Sequence, residues 1–290
     1  MKQVVARLGS GVVDDGFISA DDLAVNRGDG CFDATLVRVD GAGPEADFVE
    51  EHLERLGNSA RLLDMAAVDV AAWQELTTQS LVEWDRRGGG EAVMKFLYTR
   101  GQETSPGEPL GLITVTELNA ERIASREAAT AVTLSAGREA HALEDTPWLL
   151  GGAKTLSYGV NLSYVREAAR RGATDPIMVT TDGYVLEGPQ SGILVLKGDL
   201  LYSTPVTETG ILDSITIRHA LAGWREKGWP TEHRLYTVEE LGSADAAWFA
   251  SSIRGITPMI QLNDAEMKRR DDLTEVLRSL VRPKTGFGIR

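Results

Sequence analysis

Cysteine and clustered histidine are scarce in this 290-residue sequence. Cys31 is the single cysteine, which excludes an intrachain disulfide framework and a thiolate metal cluster. None of the short spacings typical of metal ligands joins the four histidines, which are His52, His141, His219 and His233. We therefore predict no metal site, and the pattern leaves open only a site gathered from distant segments.

Long apolar runs and excess positive charge are also missing. No stretch approaches the roughly 18 apolar residues of a membrane-spanning helix, and the N-terminus has no long apolar core behind a basic start, as a signal peptide would have. Lysine and arginine number 30 against 43 aspartates and glutamates, and the formal net charge of -13 repels nucleic acid and anionic membranes on average. We expect a cytoplasmic protein with neither nucleic acid nor a membrane as partner.

The composition is that of a globular protein with material for a large core. Hydrophobic residues make up 42% and charged residues 25% of the chain, and 290 residues suit two domains or one large α/β domain. Strand and helix patterns alternate in two blocks, which predicts an α/β or α+β fold. The pattern lapses at "NAERIASREA", so the predicted limits are an N-terminal domain 1–118, a linker 119–128 and a larger C-terminal domain 129–290 that contains Lys154.

Hydrophobic periodicity predicts the main elements of both blocks. Strands are predicted at "CFDATLVRVDG", "AVMKFLYTRG", "LGLITVTEL", "ATAVTLSAG" and "AAWFASS". Helices are predicted at "ADFVEEHLERLGNSARLLDM", "VAAWQELTTQSLVEW", "SYVREAARRG", "SITIRHALAGWREKG" and "DLTEVLRSLV". Two hairpins are predicted, one around Asp182-Gly183 and one around Gly198-Asp199.

Lys154, in "GGAKTLSYGVNL", follows two glycines and an alanine and precedes a run of apolar and hydroxyl residues. A lysine forms an imine only when its amine can be neutral, and burial among apolar groups favours that form. The alternative is a surface lysine at the end of a strand.

Two further features are compatible with an anionic or aromatic ligand. Glu187 closes the strand in "YVLEGPQSG", where it needs a cationic partner, either a protonated ring nitrogen or an arginine in a structural pair. The helix in "GILDSITIR" begins at Ser214, Ile215 and Thr216, and its N–H groups could bind a phosphate, although Ser214 could act only as a helix cap.

Arg55 and two serines offer additional phosphate donors. Arg55, in "EEHLERLGNSA", is expected on the side of its helix opposite Leu53, where an arginine is usually solvated, but its planar guanidinium would suit a phosphate. Ser251 and Ser252 follow the strand "AAWFASS" and serve either as loop residues or as hydroxyl donors.

The order of these residues resembles the fold-type IV pyridoxal-phosphate enzymes, the class IV aminotransferase family. That family includes branched-chain and D-amino-acid aminotransferases and aminodeoxychorismate lyase. The resemblance runs from about residue 24 to 260 in seven segments: "NRGDGCFDATLV", "HLERLGNSA", "MKFLYTRG", "KTLSYGVNL", "DGYVLEGPQSGI", "GILDSITIR" and "SSIRGITPM". It implies the two-domain fold of D-amino-acid aminotransferase, pyridoxal 5'-phosphate as cofactor and, by analogy, a homodimer.

The resemblance also implies a role for each residue. Lys154 would hold the cofactor as an aldimine and shuttle protons as general acid and base, while Glu187 would pair with the pyridine nitrogen and Tyr158 with the ring oxygen. The cofactor phosphate would be held by four groups: the side chain of Arg55, the N–H groups of Ile215 and Thr216, and Ser252.

The sequence departs from the family pattern at three places. Asp33, in "CFDAT", stands where glutamate is commoner, and "EGPQSGI" replaces a loop richer in serine and asparagine. "TRGQETSPGEP" lacks the arginine-x-histidine with which D-amino-acid aminotransferases hold a carboxylate, which disfavours that reaction. It also lacks the glycine-arginine-glycine-tyrosine run of many lyases.

The segments around Lys154, Glu187 and "SSIRGITP" look more like lyase-type members than like branched-chain enzymes. The predicted function is therefore 4-amino-4-deoxychorismate lyase, which releases pyruvate and 4-aminobenzoate for folate biosynthesis. Arg100 and Arg254 are candidates for substrate carboxylates, and each could equally be a structural pair. The alternatives are an aminotransferase that passes an amino group from branched-chain or other amino acids to a 2-oxo acid, and a binding protein that no longer uses the cofactor.

Overall fold

The computed structural model describes residues 2–105 and 107–289. Its contacts divide the chain into two compact units. Unit 1 consists of Met1–Ala120, Ala153–Tyr158 and Pro283–Arg290, and unit 2 of Glu121–Gly152 and Gly159–Arg282. The division after residue 120 falls within the predicted linker 119–128. The segment that carries Lys154 belongs to unit 1, which differs from its predicted place in a C-terminal domain 129–290.

The elements are numbered in chain order. The helices are α1 Leu23–Arg27, α2 Val49–Leu62, α3 Val70–Arg86, α4 Ala120–Ala124, α5 Gly159–Arg170, α6 Val206–Thr209, α7 Ile215–Glu226, α8 Val238–Gly242 and α9 Asp271–Leu280, with a short 3-10 helix at Pro147–Leu149. The strands are β1 Gln3–Arg7, β2 Gly11–Val13, β3 Gly30–Asp40, β4 Gly43–Ala46, β5 Ala92–Thr99, β6 Leu110–Glu117, β7 Ala129–Ser135, β8 Asp175–Val179, β9 Gly192–Lys197, β10 Leu200–Ser203, β11 Thr231–His233, β12 Ala246–Ser251, β13 Gly255–Leu262, β14 Ala265–Glu266 and β15 Phe287–Gly288.

Unit 1 is built on an antiparallel sheet in the order β15-β4-β3-β5-β6-β1-β2. Helices α2 and α3 cover it, since their apolar residues recur at helical spacing and form one stripe on each helix. Leu53 and Leu56 of α2, Trp73 and Trp84 of α3, and Phe96 of β5 are buried together in this core. Strands β4 and β5 pair with the backbone of β3 on its two sides. This fixed strand carries several residues of the candidate site.

Unit 2 is built on a mixed sheet in the order β11-β10-β9-β12-β13-β7-β8, with β14 paired to β13. Neighbours β10 and β11, β13 and β7, and β7 and β8 are parallel, and the others are antiparallel. Side chains of β12 alternate between two cores: Trp248 packs with α7 and α9, whereas Phe249 packs with Tyr202 and Tyr236. Both faces of the central strands are therefore buried.

The expected elements and the α+β class are confirmed, with two local differences. The predicted linker contains the short helix α4. Glu187 does not end a regular strand: only single bridges, Val179 to Val185 and Tyr184 to Thr237, surround the turn at Gly183. The backbone still pairs, because Met178 N–H donates to the carbonyl of Glu187 at 2.9 Å.

A buried hydrogen bond joins α9 to β12 and can be tested. Trp248 Nε1 donates to Thr274 Oγ1 at 2.8 Å, and both residues are at most 2% exposed. We expect Thr274→Val to lower the free energy of unfolding by about 1–3 kcal/mol, because it leaves a buried indole N–H without an acceptor. Urea unfolding measures the loss. Ser279→Ala, which removes an exposed hydroxyl from the same helix, is the control, and an equal loss in the two variants would contradict the assignment.

Candidate active site

The segment that carries Lys154 pairs with the start of β3 like an additional strand. The Phe32 N–H donates to the Lys154 carbonyl at 3.0 Å, and the Leu156 N–H donates to the Gly30 carbonyl at 2.8 Å. The Lys154 N–H in turn donates to Ser59 Oγ of α2 at 3.0 Å. A strand and a helix therefore fix the backbone on both sides of the lysine.

Two glycines allow this close approach. A Cβ on Gly30 would lie 2.7 Å from the Tyr98 carbonyl oxygen and 2.9 Å from Leu156 Cδ1. A Cβ on Gly28 would lie 2.5 Å from Ser157 Oγ, and the positive φ of Gly28, 69°, is itself one that favours glycine. The glycines of "NRGDG" thus admit the lysine segment to the edge of β3.

The amine of Lys154 lies beside two aromatic rings. Its Nζ is 4.6 Å from the centre of the Phe32 ring and 5.8 Å from that of Tyr158. The two rings are 5.4 Å apart and meet edge to face at 82°. Lys154 and Tyr158, which the sequence analysis grouped, are therefore close together within unit 1. Phe32 was missed, although its place directly before Asp33 on a predicted strand could have drawn attention to it.

Arg55 is buried, so the solvated position that is usual for an arginine on the side opposite Leu53 does not apply to it. The residue is 9% exposed, because α2 is buried over a wide arc that also includes His52, Leu53 and Ser59. Asp33 of β3 supplies the counter-charge that permits this burial: its two carboxylate oxygens accept hydrogen bonds from Arg55 Nη2 and Nε, both at 2.8 Å. The partner lies 22 residues away in sequence, where helix periodicity alone cannot identify it.

Asp33 is ionised in this environment. Burial alone would raise the pKa of its carboxyl, but the charge of Arg55 and the hydrogen bonds from Arg55 and His52 outweigh burial and hold that pKa well below its usual range. Cys31, two residues earlier, behaves oppositely: burial, with the negative charges of Asp33 and Asp29, raises the pKa of its thiol to about 12. The cysteine is therefore an inert core residue and no nucleophile.

Arg100 is engaged in an ion pair. Its Nε and Nη2 donate to the carboxylate of Asp29 at 2.6 and 3.1 Å, and its Nη1 donates to the carbonyl of Asp64 at 3.2 Å. Arg254, in unit 2, donates from Nη1 to Asp175 Oδ1 at 2.7 Å. Both candidates for a substrate carboxylate thus have structural partners.

In unit 2 the carboxylate of Glu187 is held from two directions. The Leu212 N–H donates to Glu187 Oε1 at 3.2 Å. The guanidinium of Arg138 lies within electrostatic range: burial lowers its pKa below the ordinary value, and the charge of Glu187 opposes that shift. Arg138 was missed by the sequence analysis, because nothing in "SAGREA" distinguishes it from a solvated arginine.

The start of α7 lies against a glycine at the start of β9. Ser214 caps the helix by accepting a hydrogen bond from the Ile217 N–H at 3.3 Å. A Cβ on Gly192 would lie 2.9 Å from Ile217 Cγ1, so the first turn of the helix packs closely on this strand. The N–H groups of Ile215 and Thr216, in the first turn, have no acceptor within the helix itself, which makes them available donors for an anion.

The unit 2 candidates gather at one edge of its sheet. Gly192 at the start of β9 pairs with Ala250 near the end of β12, and Ser251 pairs with Gly255 at the start of β13. Ser252 and Arg254 form the turn between these last two strands. The strand ends therefore bring Ser252, the start of α7 and the loop after Glu187 to the same side of unit 2.

Other site types find little support in the described part of the chain. Residues 2–105 and 107–289 contain no group of three or more histidine, cysteine or carboxylate side chains arranged to hold a metal ion. Within the same residues, no helix has the length and apolar character to cross a membrane.

Comparison with known proteins assigns the family. The family described as amino-transferase class IV matches residues 30–262. The chain belongs to the class IV aminotransferase family. This family uses pyridoxal 5'-phosphate, so the protein is a pyridoxal-phosphate-dependent enzyme, and the predicted family and cofactor are confirmed.

Relatives of this class IV enzyme cover nearly its whole length. It is 36% identical over 271 residues, 91% of this chain and 92% of the other, to a bifunctional aminodeoxychorismate lyase / D-amino acid transaminase of Mycobacterium tuberculosis. A fold IV transaminase of Curtobacterium pusillum superposes with a TM-score of 0.90 at 35% identity, covering 98% of this chain and 100% of the other. A pyridoxal-phosphate-bound hypothetical aminotransferase of M. tuberculosis superposes with a TM-score of 0.89 at 35% identity, covering 97% of each chain. The fold-type IV prediction is confirmed.

Each unit of this class IV enzyme, taken by itself, contains groups of the kinds that the cofactor requires. Pyridoxal 5'-phosphate needs an amine, a group for its ring nitrogen and donors for its phosphate. Unit 1 supplies the amine of Lys154 beside two rings, and Gly28 and Gly30 keep its segment tightly placed. Unit 2, taken by itself, contains the hydrogen-bonded carboxylate of Glu187 and the N-terminus of α7.

The glycine contact gives a test of how this class IV enzyme places its lysine. We expect Gly30→Ala to lower stability by about 1–3 kcal/mol and to reduce cofactor retention, because the added methyl group displaces Leu156 and the lysine segment. Thermal unfolding and the bound pyridoxal 5'-phosphate per chain are the measurements. Gly41→Ala is the control, since a Cβ there meets no atom within 4 Å. Unchanged stability and cofactor content in Gly30→Ala would refute the close-packing argument.

The ionised state of Asp33 gives a pH-dependent test. Removing one partner of a buried ion pair costs about 3–5 kcal/mol, so we expect Asp33→Asn to lower the free energy of unfolding by this order at neutral pH. Because the pKa of Asp33 is lowered by folding, its contribution is full above the unfolded value of about 4 and is lost as the pH falls below it. The difference between the two proteins should therefore shrink in acid. Urea unfolding at several pH values, with exposed Asp85→Asn as control, measures this, and a pH-independent difference would point to packing instead.

Proposed function

We propose that this class IV enzyme is a 4-amino-4-deoxychorismate lyase that forms pyruvate and 4-aminobenzoate. The observation that carries the proposal is the 36% identity over 91% of the chain to a relative named for that lyase activity. The backbone of Lys154 is fixed between β3 and α2, and its amine lies beside the rings of Phe32 and Tyr158. This placement supports a reaction that depends on one well-placed proton carrier.

The proposed chemistry needs no second substrate. Bound pyridoxal 5'-phosphate withdraws electrons from the carbon that bears the substrate amine and so acidifies its C–H bond. Lys154 takes this proton, the bond between the ring and the enolpyruvyl oxygen breaks, and the ring becomes aromatic. The enolpyruvyl group takes up a proton and leaves as pyruvate, and the nitrogen stays on 4-aminobenzoate, so atoms and electrons balance without an acceptor.

Other side chains are proposed to orient the cofactor. Glu187 receives the N–H of its pyridine nitrogen, a role supported by the hydrogen bond that fixes Oε1. Tyr158 is proposed to donate to the oxygen on the cofactor ring. The centre of its own ring lies 5.8 Å from Lys154 Nζ, which supports this role. The phosphate is proposed to bind Arg55, the N–H groups of Ile215 and Thr216, and Ser252.

Arg100 and Arg254 are proposed to bind the substrate carboxylates. Each must then contact substrate in addition to its aspartate or in exchange for it. Their side chains are 33% and 24% exposed, against 10% for Arg55, and this partial exposure supports exchange, because solvent weakens an ion pair that it reaches.

Transamination is the second candidate, and the same relative favours it through the second half of its name. In that reaction the nitrogen leaves the substrate, so a 2-oxo acid must accept it. Branched-chain amino acids and D-amino acids are both donors to test, although the missing arginine-x-histidine after "TRG" disfavours the latter. We further propose that the enzyme is a cytoplasmic homodimer that serves folate biosynthesis.

The need for an acceptor separates the two reactions. We expect the purified enzyme to release pyruvate and 4-aminobenzoate in equal amounts from 4-amino-4-deoxychorismate without any 2-oxo acid. Parallel assays contain D-alanine or L-leucine with 2-oxoglutarate. Turnover only with an acceptor would reject the lyase and establish an aminotransferase.

Lys154 is the residue whose loss should matter most. We expect Lys154→Ala to lower kcat at least about a thousandfold, because the covalent attachment and the proton carrier are both removed. Lys95→Ala, at an exposed lysine of β5, should keep activity. A fully active Lys154→Ala enzyme would refute the proposed site.

A further inference from the structure

A buried acid in unit 1 has no part in the chemistry proposed above. Asp33 is 0% exposed and accepts four hydrogen bonds. Its Oδ1 accepts from the Ala34 N–H at 2.7 Å, from His52 Nδ1 at 2.7 Å and from Arg55 Nη2 at 2.8 Å, and its Oδ2 accepts from Arg55 Nε at 2.8 Å. These four hydrogen bonds compensate the buried negative charge and hold the carboxylate in one orientation.

The contact with Arg55 fixes the plane of the guanidinium. Nε and Nη2 lie on one edge of that plane, and each binds a different oxygen of Asp33. Two parallel charge-assisted bonds of this kind set direction as well as distance. An arginine side chain loses rotamer entropy when it is ordered, and here that entropy is lost on folding and not when a ligand binds.

His52 supports Asp33 from the other side. Because the carboxylate is ionised, it can only accept, so His52 Nδ1 carries the hydrogen of their 2.7 Å contact. His52 Nε2 is buried and meets no hydrogen-bond partner among the described residues. His52 thus acts as a fixed donor.

The buried ion pair is electrically balanced. The charges of Arg55 and Asp33 cancel. The pair therefore does not act on an anion as an isolated positive charge would, and its value lies in pre-aligned N–H groups.

We propose that Asp33 is a positioning residue for the phosphate of the cofactor: it aligns Arg55, and His52 in turn aligns Asp33. The proposal rests on the assignment of Arg55 to the phosphate in the proposed function. Its consequence is selective, since Asp33 should matter for ligands that carry the phosphate and not for the same ring without it.

Pyridoxamine 5'-phosphate and pyridoxamine form the matched pair of ligands. Neither has an aldehyde, so neither can bond covalently to Lys154, and their dissociation constants isolate the phosphate. For the full-length chain stripped of cofactor, the ratio of the two constants is the phosphate preference. We expect Asp33→Asn to lower this preference about tenfold, as losses of supporting hydrogen bonds commonly do at ligand sites, with the pyridoxamine constant nearly unchanged.

The control is another aspartate that pairs with an arginine of β3. Arg38 Nε donates to Asp47 Oδ1 at 2.6 Å, and Asp47→Asn removes the same charge from the same unit. It should leave the phosphate preference unchanged. An equal fall in both variants would mean a general loss of structure and would overturn the proposal.

Arg55→Lys separates this proposal from the one it rests on. Lysine keeps the charge but cannot present the planar edge. If Arg55→Lys leaves the phosphate preference unchanged, the phosphate role of Arg55 is wrong and the positioning role falls with it. If Arg55→Lys lowers the preference but Asp33→Asn does not, or if Asp33→Asn raises it, only the positioning role is overturned. Support requires that both variants lower it and that Asp33→Asn adds little to Arg55→Lys.

His52 provides a milder test should Asp33→Asn fail to fold. His52→Leu keeps the ion pair and removes the supporting donor, so the phosphate preference should fall in the same direction by a smaller factor. His52→Asn places an amide N–H near the position of Nδ1 and should restore it. An unchanged preference in a folded His52→Leu protein would overturn the proposal.

Discussion

The strand-like pairing of the lysine segment with the start of β3 is the interaction on which the candidate site depends. Lys154 and Leu156 exchange backbone hydrogen bonds with Phe32 and Gly30, which sets the register between the amine and everything carried by β3. A one-residue slip would turn each side chain of the segment to the other face. Gly28 and Gly30 make that pairing sterically possible, because they have no side chains. The two glycines therefore help to determine the position of the Lys154 amine.

Helix α2 connects the lysine segment to Arg55, the proposed phosphate ligand. Ser59 binds the backbone of Lys154, and Arg55 lies four residues earlier, one turn along the same side of the helix. Asp33 then ties Arg55 to β3, next to Phe32, whose ring flanks the amine. Strand, helix and lysine segment thus form a closed set of contacts within unit 1, in which moving one member strains the other two.

Hydrophobic periodicity was sufficient to predict most elements. Each helix or strand buries one or both faces, so its apolar residues recur at the spacing of that element. The ordered motifs were sufficient for the family. The burial of Arg55 could not be predicted, because its charge is compensated by Asp33, a residue on another element. For the same reason, the position of Lys154 in unit 1 and the proximity of Arg138 to Glu187 depend on contacts between distant segments, which local patterns do not contain.

Each of the three candidate arginines pairs with an aspartate, but the pairs differ in solvent exposure. The side chains of Arg55 and Asp33 are 10% and 0% exposed, whereas those of Arg100 and Asp29 are 33% and 30% exposed. Opening the buried pair would leave a buried charge without its partner, whereas opening a partly exposed pair lets water solvate both charges. This difference suits the proposed roles, because a cofactor phosphate stays through many reaction cycles and needs a fixed ligand, whereas a substrate carboxylate must be bound and released in every cycle.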